Sequence, residues 1–165
     1  MVCKPKVEGG LGVIDTEKQN KALLIKNFHK FYNRNDLPWV HLVWEKHYRN
    51  GKLPSHMKKG SFWWRDVLKL LPDFKSIATP HVENGESIFY WHDNWDNQSL
   101  VVEAPELFSY AKNKSISVQR AFSIDDFSSL FQLPLSQAAF LQMQDIQQLI
   151  VNRLLSDNND RWAYS

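Results

Sequence analysis

Residues 80–95, PHVENGESIFYWHDNW, are where the chain changes its pattern, and the fold class turns on how they are read. Asn84-Gly85 suits the positive φ angles of a type I′ turn. The run Ser87-Ile88-Phe89-Tyr90-Trp91 behind it consists of strong β formers. The stretch predicts a β-hairpin centred on Asn84-Gly85, followed by a turn-rich loop from Asp93 to Ser99. Asp93 and Asp96 offer oxygen ligands of the kind that hold divalent ions. Two carboxylates do not make a calcium loop, however. The favoured reading is a turn in which Asp93 accepts backbone N–H bonds while Trp91 and Trp95 anchor it.

Upstream of this stretch the chain reads as helix. Over 18–33, Leu24, Phe28 and Phe31 recur at i, i+4, i+7, the spacing of one helical face. Lys26, Lys30 and Arg34 recur on another. Asn35-Asp36 breaks the pattern, and Asp36 with Pro38 can open a second helix over 37–48, with Val40, Val43, Trp44 and His47 on one side. Residues 49–60 read as a loop punctuated by Asn50-Gly51, Pro54 and Gly60. A third helix over 61–71 is expected to start at Ser61 and to stop at Pro72. Downstream, residues 100–133 are mixed. Pro134 and Ser136 announce a last, Gln-rich helix over 136–155, with Ala139, Met143, Ile146 and Ile150 as its apolar stripe. The expected fold is therefore α+β: mostly helical, with the hairpin near Asn84-Gly85 and a long C-terminal helix.

The 165 residues suffice for one compact domain. With 43% hydrophobic and 23% charged residues, collagen, coiled coil and wholesale disorder are excluded. No apolar run reaches the ~18 residues of a membrane span, and the start lacks the apolar stretch of a signal peptide. One cysteine, Cys3, excludes an intrachain disulfide and a multi-cysteine zinc site. Cytosol or nucleus is the expected compartment. The net charge of +2 divides unevenly: residues 1–75 form a basic part at +8, and residues 76–165 an acidic part at −6. A basic half suggests a surface that faces a polyanion, or two halves that dock by charge.

The short motifs say little about catalysis. Gly9-Gly10-Leu11-Gly12 lacks the third spaced glycine of a dinucleotide fingerprint and the Gly-Lys-Ser/Thr of a P-loop. His41 and His47 are six apart, which is not the i, i+4 spacing of a helical metal pair. Nothing near Cys3 supplies a general base. No cofactor or metal site is expected. Ser61-Phe62-Trp63-Trp64-Arg65, with Lys58, Lys59 and Lys69 around it, interleaves aromatic and basic residues, a combination that suits single-stranded nucleic acid. Trp on an amphipathic helix more often serves the core, so at least two of Trp39, Trp44, Trp63 and Trp64 are expected inside.

Val2-Cys3-Lys4-Pro5-Lys6, Glu8-Gly9-Gly10-Leu11-Gly12 and Asn20-Lys21-Ala22-Leu23-Leu24-Ile25-Lys26 resemble the C-terminal part of plant LINE-type (non-LTR) retrotransposon reverse transcriptases. Gly60-Ser61-Phe62-Trp63-Trp64, then Asn84-Gly85 through Trp91-His92-Asp93-Asn94-Trp95, then Pro105-Glu106-Leu107-Phe108, look like further segments of that family in the same order. Asp160-Arg161-Trp162 resembles the D-x-W that opens its zinc-binding module. The resemblance covers nearly the whole chain. It implies the segment between the polymerase palm and the zinc module. The paired aspartates that hold the catalytic metals lie upstream in the family, and Asp125-Asp126 sits in no plausible polymerase strand. The chain ends where the zinc ligands would begin. It thus reads as a truncated derivative, a non-enzyme.

Two roles follow from these features. As a protein-interaction module with a partner of unknown identity, the chain would dock through the last helix, at Phe140, Met143 and Ile150. As a sequence-nonspecific binder of RNA or DNA, it would use Lys26, Lys30, Arg34, Lys58, Lys59 and Arg65, mainly on phosphates. No membrane role is expected.

Overall fold

A computed structural model describes Val7, Gly9 and residues 15–47, 62–96, 98–151 and 153–164. The first helix, α1 (Thr16–Tyr32), is opened by Asp15, whose carboxylate accepts the Lys18 N–H at 3.1 Å. That bond also holds the Asp15 carboxyl below its usual range. Phe28, Phe31 and Tyr32 are buried and Leu24 is half-buried, so the core face is the expected one. α2 (Pro38–His47) begins at its proline, where the missing N–H costs nothing. Trp44 from α2 lies flat on Phe31, with centroids 5.0 Å apart, and donates its Nε1–H to the Phe31 carbonyl. His47 closes α2, and its side chain lies outside the described residues.

The third helix departs from expectation. It is two helices, α3 (Phe62–Lys69) and α4 (Leu71–Ile77), and Pro72 stands in the first turn of the second. A proline ends a helix only where its N–H is needed; in a first turn it is tolerated. Trp64 of α3 is buried at 2% exposure, while Trp39 and Trp44 are half-buried and Trp63 is 45% exposed. One of the four tryptophans is therefore wholly inside, and two more lean on the core.

No hairpin forms at Asn84-Gly85. The sheet is built instead from β1 (Ala78–His81) and β2 (Arg161–Tyr164), antiparallel, with Ala78 opposite Tyr164 and His81 opposite Arg161. Gly85 does take the positive φ of 69°. Its neighbours are then drawn to a carboxylate rather than to each other. The N–H groups of Glu83, Gly85 and Ser87 and the Ser87 hydroxyl all donate to Asp160, at 2.7–2.9 Å. The β formers behind them are buried on all sides, from Ile88 to Trp91, without the alternation of a hairpin strand. They thread the core and touch residues 116–118 through single backbone bonds.

The remainder is short helices, α5 (Leu100–Glu103), α6 (Pro105–Ser109) and α7 (Val118–Phe122), a 3-10 turn at Phe127–Leu130, and α8 (Gln137–Val151). Ser136 caps α8 by accepting the Ala139 N–H at 3.2 Å. The last helix is thus shorter than expected, since Arg153–Leu155 lie beyond it. α8 packs on α6, where Gln142 accepts the Leu107 N–H. One apolar cluster runs from Phe28 and Trp64 through Phe74, Tyr90 and Trp91 to Leu107, Phe131 and Ile146. Both charge halves build it. The fold is α+β and mostly helical, and no helix among the described residues is long and apolar enough to cross a membrane.

Candidate functional site

The residues that look most like chemistry turn out to hold the chain together. Asp93 is 3% exposed and accepts the Phe89 N–H at 2.7 Å, the backbone bond expected of a turn. Its other oxygen meets the Lys75 ammonium, which also lies 4.2 Å above the Phe89 ring. The cation beside Asp93 is thus a lysine from α4, which the sequence reading did not find. Burial pulls the Lys75 ammonium below its ordinary range, against the opposing pull of Asp93. Asp96 turns elsewhere, to Arg153 at 3.3 Å. A polar cleft of about 180 Å³ opens beside the pair, lined by Thr79, His92, Asn94 and Trp162. Burial and then the Lys75 charge hold His92 below the usual histidine range. Among the described residues no cluster of three His, Cys, Asp or Glu side chains is placed to share a metal ion. Asp125 and Asp126 are exposed in the turn before the 3-10 helix, where Asp126 caps Ser128.

The basic residues singled out from the sequence are not one surface. Lys26 is exposed and Lys30 half-buried on α1, both on the side of the helix opposite Phe28 and Phe31. Arg34, at φ 46°, leaves that stripe. Its guanidinium pairs with Glu86, donates to Asn159 at 3.1 Å and covers the Trp44 ring at 4.1 Å. Arg65 lies over the Phe62 ring at 4.5 Å. Lys58 and Lys59 lie outside the described residues.

The expected docking residues also divide. Phe140 is 46% exposed on α8, while Met143 at 8% is turned into the core. Ile150 is half-buried and reaches a surface groove of about 470 Å³ between the end of α8 and the end of α7. Phe122, Ile124 and Phe127 form the floor with it, Val151 stands 80% exposed at the edge, and Asp125 and Gln147 edge it with polar groups. Val151, Ile124 and Phe122 were missed in the sequence because no period links residues 122–127 to the apolar stripe of α8.

Over 108 residues the chain is 33% identical to a protein of Arabidopsis thaliana named "putative ribonuclease H protein". The similarity covers 62% of this chain and 17% of that relative. The chain therefore spans about a sixth of that relative's length. No family model and no solved structure matches it. What the comparisons show of this protein is a distant kinship with one plant protein of that name.

Proposed function

We propose that this chain is a non-catalytic segment of the kind found between the palm and the zinc module of LINE-type reverse transcriptases, acting as a protein-interaction module. The order of its motifs supports the lineage, and the kinship with a plant ribonuclease H protein agrees with a retrotransposon origin. The groove between α7 and α8 carries the functional reading. A contiguous apolar concavity edged by polar groups marks a contact surface more often than a structural accident. Asp125 at its edge and Asp126 beside it fit an amphipathic helix with apolar residues at i, i+3 and i+4 and a basic flank. Affinity purification after nuclease treatment tests this. The partner should survive nuclease and be lost with Val151→Glu, a substitution at an exposed position that leaves the fold intact. A partner that is released by nuclease and retained by Val151→Glu contradicts the reading. Purified protein should also fail to extend a primer on any template with Mg²⁺ or Mn²⁺, since polymerase chemistry needs carboxylates that hold two metals close together.

A second reading, sequence-nonspecific nucleic-acid binding, is favoured by one observation. Lys26 and Lys30 both project from α1 away from the core and form no ion pair among the described residues. Phosphate contacts of this sort would lose affinity steeply with salt, by roughly 0.7–0.9 in log–log slope for each contact.

A further inference from the structure

We infer that α2 and α3 carry a stacking platform for unpaired nucleobases, built from Phe62, Trp63, Trp39 and Arg65. It rests on the nucleic-acid reading but places the site on a different surface from the α1 lysines. Phe62, Trp63 and Trp64 follow one another on a helix, about 100° apart around its axis, so only one of them can face a single core. Trp64 does so. Phe62 is left 80% exposed and Trp63 45% exposed. Single exposed apolar residues are common, but these two have neighbours. Trp39 of α2 meets Trp63 edge-on, with centroids 5.7 Å apart and planes at 83°, which fixes the Trp63 ring against α2. Leu42, one turn along α2 from Trp39, is 62% exposed and extends the apolar surface.

The charge beside the rings decides the partner. The Arg65 guanidinium lies 4.5 Å over the centroid of Phe62, while the ring as a whole is four-fifths open to solvent. The neighbouring Asp66 carboxylate is hydrogen-bonded by Lys69 at 2.7 Å, and no hydrogen bond or ion pair ties it to Arg65 among the described residues. Flat rings, one of them carrying a guanidinium, match a ligand with π-faces and negative charge. Bases in a duplex are already stacked on each other. Only unpaired bases offer their faces, so the ligand is single-stranded RNA or DNA without strict sequence.

Fluorescence anisotropy with labelled oligo(U) and oligo(dT) of about 15 nucleotides, and with a duplex of the same length, tests the platform on the full chain. The wild type should bind both single strands more tightly than the duplex. Phe62→Ala/Trp63→Ala should weaken single-strand binding at least about tenfold, and Phe62→Ala alone, at a side chain 80% exposed, should weaken it while leaving the melting midpoint unchanged. Unchanged affinity in that double variant overturns the platform, and so does a preference for duplex. Loss of binding only in Lys26→Glu/Lys30→Glu overturns it while leaving the nucleic-acid reading in place. No binding of any oligonucleotide by the wild type up to about 100 µM, the weak end of nonspecific association, overturns both and returns the patch to protein contact.

Discussion

Asp160 accepts four hydrogen bonds from a loop more than 70 residues earlier in the chain, three from backbone N–H groups and one from a hydroxyl. It is 2% exposed, and the three buried donors among them, from Gly85 and Ser87, would lie unpaired without it. Asp160→Asn keeps the shape but sets an amide NH₂ against N–H donors. We expect a loss of about 3 kcal/mol or more in urea unfolding, from bonds to a charged group exchanged for opposed donors. Gly85→Ala should cost at least about 1–2 kcal/mol, since its φ of 69° is left-handed and a Cβ there would stand 2.7 Å from the Gln119 nitrogen. Lys75→Met strands the buried Asp93 carboxylate and should cost about 3–5 kcal/mol, part of which Lys75→Met/Asp93→Asn recovers. His92 titrates below the ordinary value near 6.5 because of burial and the Lys75 charge. The unfolded chain therefore holds more protons just below that pH, so this penalty is absent above about 6.5 and grows as pH falls through the window. Urea melts at pH 5 and pH 7 should show the difference shrink in His92→Gln. At this scale Asp93 was legible, because its turn partner is four residues away. Asp160 and Lys75 were not, because nothing local marks a partner that is distant in sequence.

Helices with a local signal were found near their true places: α1 from its 3.6-residue period, α2 from Pro38, α8 from Ser136. Ser136→Ala should remove that cap and cost about 1 kcal/mol. Elsewhere distant partners outcompete the local signal. Pro72 signals a stop, but the fold turns at Leu70 and continues as α4, which brings Phe74 to Phe28, 5.5 Å between centroids. The hairpin signal at Asn84-Gly85 was real in its φ angle and false in its strands, because Asp160 claims the N–H groups that a hairpin ladder would use. The apolar stripe of α8 is present as expected, but Ala139, Met143 and Ile146 are buried in the core. The groove lies at its last turn, where Ile150 and Val151 meet residues contributed by α7.

Across the whole molecule, the two charge halves are joined rather than separate. β1 and β2 bring residues 78–81 to 161–164, and the Asn33 side chain exchanges two hydrogen bonds with the Trp162 backbone, at 2.9 and 3.0 Å. Arg34–Glu86 and Lys75–Asp93 cross from the basic half to the acidic one. Part of the charge asymmetry is thus paired within the fold. The mostly helical α+β class was legible from composition and period. The closing sheet was not, because it pairs segments some eighty residues apart. The conspicuous carboxylates are committed to structure, and the proposed docking surface is the groove between α7 and α8. Hydrogen–deuterium exchange of the protein, alone and with the partner recovered after nuclease treatment, addresses that directly. Residues 121–127 and 147–151 should gain protection in the complex while α1 exchanges as before. Protection confined to α1, with the groove unchanged, would contradict the account.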